Sequence, residues 1–440
     1  MPPSFLCKIQ VKTKVAQENK LSQNNHPCDV LVVGGGVAGI SAAIAAARSG
    51  CEVVLLEKYG FLGGMATAGM VGTVCGLFLR EINSTPHFVC GGFMQEFAKR
   101  LQKISFSKPV LMSNGLYVLP YEPRRFEFLA DQLIGEDPLI KLVLHGVLTS
   151  LSVENTNVME AKCLVWNKQI VFHPKCLVDC TGEATAIYLA EGTVKKSKIK
   201  QSPAVVFLMN NVEETINSEN AQISLLRDII RGINDGRLSS SCQNISFLPT
   251  EKKNSIYIKI QLPSEGNDDW NSMTQWELLG RKIVWELSEY LIKNTTFFKK
   301  ARLQQRSMQV GIRIGQYAKG KYTLTHTDIM KCRKFDDGVA CGAWPIEQWK
   351  DNCRQTMEFM PEGGFYQIPI GCLIAEDLDN MFVAGRCISA TPRALASARV
   401  IGTSICTGWA AGTAAAFKAK KRPLELAVQK IRKEQVAGII

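Results

Sequence analysis

The sequence predicts an α/β fold built on a parallel sheet, with a β-meander inserted into it and a second region of mixed α+β character. Three observations carry that expectation. An apolar strand run, Val30-Leu31-Val32-Val33, leads into a glycine-rich turn and an alanine-rich helix. A second apolar run, Val53 to Leu56, ends on an acid, Glu57. From Lys141 the pattern changes to short alternating strands, and a further buried run, Cys176 to Gly182, follows them.

The turn reads Gly34-Gly35-Gly36-Val37-Ala38-Gly39, and its helix runs on to Gly50. In a strand-turn-helix unit the three glycines at G-x-G-x-x-G spacing have separate tasks. Gly34 makes the tight turn, Gly36 lets backbone approach a pyrophosphate, and Gly39 lets the helix pack on the strand. The unpaired N–H groups and partial positive charge of the helix N-terminus then face the phosphates. Glu57 stands twenty-three residues beyond Gly34, the reach of an acid that accepts hydrogen bonds from an adenosine ribose. Its charge opposes a ribose 2′-phosphate, so the ligand is a dinucleotide without that group, NAD or FAD. A lone G-x-G-x-x-G is weak, because glycine turns also end ordinary strands. Here strand, glycines, helix, second strand and acid occur in the required order. The stretch Gly60 to Gly69 is too glycine-rich for a regular element, and it reads as a loop returning over the ligand.

Length and composition set the frame. At 440 residues and 46% hydrophobic content, two domains are expected from a typical size of about 150 residues. The net charge of +12 admits an anionic partner. No Lys/Arg run carries interleaved aromatics, however, and the clusters at Lys195–Lys200 and Lys418–Arg422 each follow an apolar element as solvated ends; nucleic acid is not expected. There is no run of about 18 apolar residues and no apolar leader in Met1–Asn25, which predicts a cytoplasmic protein without a membrane span. The fifteen cysteines include no C-x-x-C pair, and Cys176 and Cys180 are the closest in sequence. Free buried thiols are expected, with no metal or cluster site.

Later in the chain, Glu122–Leu133 reads as a helix with Pro123 in its first turn. Leu142–Leu144, Val147–Val153, Val158–Trp166 and Gln169–Phe172 form a meander rather than a second βαβ unit. A meander before a returning parallel strand distinguishes FAD-binding domains of the glutathione-reductase class from plain NAD domains, and it tilts the choice to FAD. Residues 205–365, including an amphipathic helix over Trp276–Leu291, carry no nucleotide motif and are expected to form the substrate domain. The Rossmann-like FAD domain then comprises 28–204 and 366–420, with residues 1–27 and 421–440 as tails. Asn380–Arg386 reads as a strand ending in a glycine. Ile401–Lys418 reads as a small-residue helix, too short and too soon followed by lysines to span a membrane.

The segments LVVGGGVAGISAAIAAARSG, VVLLEKYGFLGGMATAG, CLVDCTGEATAIYLAE, KYTLTHTDI, FDDGVACGAWPIE and MFVAGRCISATPRALASARVIGTSICTGWAAGTAAA resemble the bacterial FAD-dependent oxidoreductase family, related to the flavoprotein subunit of heterodisulfide reductase. The resemblance covers roughly residues 28–420. It implies that Gly34, Gly36, Val37, Ala38, Gly39, Glu57, Lys58, Gly63 and Gly64 hold the ADP half, with Met65, Ala66 and Thr67 beside them and Val147 near the adenine. Thr181 and Gly182 would border the cofactor. Gly385, Arg386, Gly408, Ala411 and the start of the last helix would face the ribityl chain and flavin, where a cation or a helix N-terminus balances the charge gained on reduction. Three departures bear on the flavin pocket. Pro392 stands where many relatives have a histidine, Ile401-Gly402 replaces Met-Pro, and Trp409 replaces glutamine.

The leading expectation is an FAD enzyme moving a hydride or two electrons between a small-molecule substrate and the flavin. One dinucleotide fingerprint and no cysteine pair after Glu57 argue against an NAD(P)H-dependent disulfide reductase. Two alternatives are an electron-transfer subunit serving an iron–sulfur carrier protein, and an FAD-binding protein without catalysis. For catalysis, Arg386, Arg393 and Arg399 clamp an anionic substrate or steady flavin charge, against ordinary loop ion pairs. His326 is a proton carrier by its pKa, or a structural histidine. Arg313 and Tyr322 are weaker candidates.

Overall fold

A computed structural model describes residues 25–436 except 82–84, 198–200, 249, 251–252, 265–269 and 350–354. Most of the expected N-terminal tail, part of the Lys195–Lys200 cluster and residues 437–440 therefore lie outside the described residues. The central sheet is parallel. From one side it runs Ile140–Val143, β2 (Val53–Leu56), β1 (Asn25–Val33), Lys168–Asp179 and Met381–Val383. Its register aligns the strand ends, because Val33 sits opposite both Leu56 and Asp179, and Val383 sits opposite Asp179. The segments after these strands, starting at Gly34, Glu57, Cys180 and Ala384, consequently leave one carboxyl edge together, where ligands of open α/β sheets bind.

The meander is present as Gly146–Glu154, Asn157–Val165 and the first half of Lys168–Asp179. Gln169–Phe172 and Cys176–Asp179, expected as separate strands, are one. Continuous pairing with β1, from Asn25 opposite Val171 to Val33 opposite Asp179, carries the chain straight through. The same ladder starts β1 at Asn25, so the tail boundary at residue 27 is too late.

Helix α1 (Val37–Arg48) lies against the helix Ile401–Ala419, called here the core helix. A Cβ on Gly408 would fall 2.2 Å from the Ala38 carbonyl oxygen, and one on Gly412 would fall 2.1 Å from that of Ala42. The small residues therefore serve backbone approach between two helices. Among the described residues no single helix is long and apolar enough to cross a membrane.

The second core is smaller than expected. It gathers side chains from Val205 to Val310 around an antiparallel sheet ordered Ile245–Leu248, Ser255–Gln261, Ala204–Asn210, Arg302–Arg306, with the helices Glu219–Asn234 and Trp270–Asn294 packed with it. Residues beyond about 313, Tyr317, Leu324, Ile329, Val339 and Cys341 among them, belong instead to the large core. The expected cap boundary at 365 is corrected for that reason. Residues 421–436 are not a tail either. Leu424–Ile431 is a helix that buries Ala427 and Ile431, and buried Gln435 donates from Nε2 to the carbonyls of Val339 (2.9 Å) and Cys406 (3.1 Å).

Candidate cofactor site and the cationic cluster beside it

Each glycine of the first turn meets a different constraint. Gly34 has φ +102°, and a Cβ there would lie 2.5 Å from the Cys180 carbonyl oxygen. A Cβ on Gly39 would lie 1.8 Å from Gly34 O. At Gly36 the nearest atom would be Gly64 Cα, at 3.9 Å; that position faces open space. Gly36 is the N-cap of α1, with no side chain capping it and no acid in the first turn. The N–H groups of Val37, Ala38 and Gly39 thus begin a helix with an uncapped positive end.

The loop that follows β2 folds back onto this turn. Gly63 N donates to Gly35 O at 2.9 Å, and Gly63 bridges Gly36. Glu57 is 5% exposed, and its carboxylate accepts from Gly35 N (2.6 Å) and Tyr59 N (2.9 Å). Burial pushes its pKa up against those two N–H groups. Lys58 is exposed beside the Tyr59 ring. Thr67 Oγ1 donates to Leu62 O (2.8 Å) and Ala66 O accepts from Tyr121 OH (2.9 Å), so both residues brace the loop. Met65 receives a contact from Gln309 Nε2, and Gln309 also meets Tyr59 OH. The edge of the cap thereby closes on this loop. Val147 follows Gly146, whose N–H donates to Glu57 O (2.9 Å), which places it beside the end of β2.

Across the sheet, buried Asp179 accepts from Thr181 N, Thr181 Oγ1, Ala186 N and Ile187 N at 2.7–3.1 Å. These bonds fasten Thr181-Gly182, and burial raises the Asp179 pKa against them. Arg386 pairs with Glu183 (2.7 Å), beside Gly182, and its Nη1 is buried without an acceptor. Gly385, at φ +68°, abuts Ala38. The structure therefore brings Gly34–Gly39, Glu57, Gly63–Thr67, Thr181-Gly182 and Gly385-Arg386 to one edge.

Gly408 and Ala411 do not stand exposed on that edge. Gly408 is spent on the α1 contact, and Ala411 is wholly buried in the core. The start of the core helix is also partly covered, since Gly402 N donates to Cys75 O (2.9 Å). Thr403 Oγ1, one residue on, is buried without a partner. Trp409 stacks on Phe93 (4.9 Å) and donates from Nε1 to Glu434 (2.9 Å), so its replacement of glutamine serves the C-terminal packing rather than the flavin pocket. Pro392 occupies the first turn of the helix Pro392–Ala398.

The catalytic candidates divide. His326 Nε2 (2.8 Å) and Arg393 Nη2 (2.7 Å) share the Glu358 carboxylate. Burial opposes its ionisation, but these two bonds hold the Glu358 carboxyl below its usual range. Tyr322 donates to Asp328 (3.0 Å). All three are occupied in polar contacts near the surface, as ordinary ion pairs and turns would be.

Arg399 belongs to a different group that sequence reasoning missed. Its Nη2 reaches Gln201 Oε1 (3.3 Å) and Glu347 O (3.4 Å), while its Nε has no acceptor. Arg313 donates to Ser202 O (2.8 Å) and to Gln261 Oε1 (2.5 Å). Lys259 Nζ (4.8 Å) and the Arg313 guanidinium (4.7 Å) both lie over the Trp349 ring. The Glu347 carboxylate accepts from Trp344 Nε1, Trp349 Nε1 and Gln355 Nε2 at 2.8–3.0 Å. Burial works against its charge, but Lys259, Arg399 and Arg313 hold its pKa down. One signal was available: in Ser255-Ile-Tyr-Ile-Lys-Ile-Gln261 the polar residues Tyr257, Lys259 and Gln261 alternate onto a single strand face.

A family model described as FAD dependent oxidoreductase matches residues 29–436. Among solved structures, a geranylgeranyl bacteriochlorophyll reductase-like protein of Thermoplasma acidophilum is 14% identical over 93% of this chain and 83% of its own, with a TM-score of 0.46. PqsL of P. aeruginosa, in complex with 2-aminobenzoylacetate, is 15% identical over 93% and 92%, with a TM-score of 0.45. The flavin-dependent brominase Bmp2 is 12% identical over 92% and 83%, with a TM-score of 0.43. Likenesses this distant carry no argument about activity.

Proposed function

This chain belongs to the FAD-dependent oxidoreductase family, and from that premise we propose that it binds FAD across the glycine turn and moves a hydride or two electrons between the flavin and a small-molecule substrate. The observation that carries the assignment is the contrast within one turn: added side chains at Gly34 and Gly39 collide with backbone, whereas one at Gly36 projects into free space beside an uncapped helix start. That is the cradle a pyrophosphate requires.

In this reading Glu57 accepts from the adenosine ribose and the Gly63-Gly64 backbone lies along the phosphates. Val147 stands near the adenine, and Thr181-Gly182 lines the middle of the cofactor. Bound FAD supplies the two-electron acceptor or donor. Arg386, with an N–H still lacking an acceptor, balances the negative charge that flavin gains on reduction. His326 and Arg393, both bonded to Glu358, are assigned a structural role in this reading.

The test uses Gly36→Val. Its Cβ would meet only Gly64 Cα, at an ordinary 3.9 Å, so the fold is expected to survive while FAD affinity falls about 100-fold or more, equivalent to roughly 3 kcal/mol. A folded variant that stays as yellow as the parent would refute the assignment. The alternative, an electron-transfer subunit akin to that of heterodisulfide reductase, rests on resemblance. Among the described residues no group of three or more His, Cys, Asp or Glu could hold a metal ion, so in that alternative a partner would carry the iron. Anaerobic bleaching of the flavin by a metabolite, without a partner protein, would decide against that alternative and against a non-catalytic role.

A further inference from the structure

The cationic group beneath the cap is built as a receptor. It draws on separate stretches of chain: Lys259 and Gln261 from the cap strand Ser255–Gln261, Gln201 from the segment before the strand Ala204–Asn210, Arg313 from the connection after Arg302–Arg306, Glu347 and Trp349 from a hairpin, and Arg399 next to the core helix. Three cations face one carboxylate, and that carboxylate is already engaged by two indole N–H groups and an amide. Among the described residues no carboxylate lies within ion-pair distance of Lys259 or Arg399.

The neutral donors tell the same story. Gln261 is 1% exposed and Gln201 is 8% exposed, and each gives its carbonyl oxygen to a guanidinium of the group. That orientation leaves both amide Nε2 groups buried without an acceptor, as is Arg399 Nε. Buried donors in native proteins are satisfied, and three orphans around a cationic cluster share one missing partner type, an acceptor carrying negative charge. A planar carboxylate offers about four lone-pair directions and matches a guanidinium edge to edge.

We infer that this cluster binds the carboxylate of the enzyme's substrate, with Lys259, Arg399, Gln201 and Gln261 as its donors. The inference rests on the FAD reading above, since only beside a flavin does an anion there become a redox substrate. Position supports it: the site lies where the cap sheet meets the flavin domain, and Arg399 is near enough to Arg386 for the two charges to repel.

The experiment is calorimetric titration of the purified holoenzyme with benzoate, with acetate, and with inorganic phosphate at matched ionic strength. Saturable binding of a carboxylate is expected. Lys259→Met should weaken it about tenfold or more. Gln201→Glu installs a carboxylate beside Arg399, so it should abolish the binding while leaving Tm unchanged or raised. Both variants should keep their flavin. Binding of neither carboxylate, equal affinity in parent and variants, preference for phosphate, or loss of FAD from the variants would each overturn the inference. A parent protein that is colourless yet binds benzoate would instead sink the FAD reading and leave the anion site standing.

Discussion

The glycine cradle and the cationic cluster beneath the cap are built in opposite ways. The cradle is backbone: its specificity comes from where Cβ atoms are missing and from N–H groups at a helix start, all within residues 34–67. The cluster is side chain: its charged groups and amides come from stretches near residues 201, 259, 313, 347 and 399. A backbone site obeys local rules of spacing and can be read one residue after another. A side-chain site exists only once distant strands are paired, so the two respond differently to substitution.

That difference is sharpest within the cradle. Gly39→Val, with its Cβ 1.8 Å from Gly34 O, is expected to yield little soluble protein, whereas Gly36→Val stays folded and loses flavin. Comparable circular-dichroism melts for the two would break the distinction. Next in size comes Glu57→Ala. It leaves the Gly35 and Tyr59 N–H groups without their acceptor, at a cost of about 1–3 kcal/mol of stability, and it removes the ribose acceptor as well. Thermal melts and FAD titration read the two losses separately.

The cluster has a pH signature that the cradle lacks. Burial, then repulsion from Arg313, brings the Lys259 ammonium down to about 8, with Glu347 and Cys75 opposing and Arg399 adding to the fall. Anion affinity should therefore hold below pH 8 and decline above it. Stability moves the other way: between about 8 and the usual lysine value near 10.4 the unfolded chain binds the extra proton, so this group's contribution to stability rises with pH across that window. Benzoate titrations at pH 6.5 and 9 check the first statement, and Lys259→Met melts check the second. The smallest effects belong to Arg393→Ala and His326→Ala. As members of a partly exposed ion-pair group around Glu358, they are expected to cost at most about 1 kcal/mol. A collapse of turnover in either would restore it as a catalytic candidate.

The first half of the sheet was legible because each step there is local. Strand, turn, helix and acid follow one another, and the meander adds strands next to their sequence neighbours. The cap boundary was not, because Val339-Ala340-Cys341 is an apolar run that could have entered either core; only its pairing with Tyr366–Pro369 and its packing on the core helix assign it to the large one. The C-terminal segment looked like a charged tail because it has Lys418, Lys420 and Lys421 before it. Its burial depends on Gln435 finding two carbonyls from distant parts of the chain. For Arg386, Arg393 and Arg399 the sequence offered one shared role, and the structure gives them three different partners.

The packing of the core helix on α1 also governs the order in which the molecule is made. The alanine face of α1 leaves the ribosome early, but the glycines that cover it, Gly408 and Gly412, are synthesised some 370 residues later. Until then a half-built parallel sheet carries an uncovered apolar helix, the kind of species that aggregates or engages chaperones. Nascent chains stalled before residue 400 should therefore be holdase clients, and release should follow emergence of the last helix.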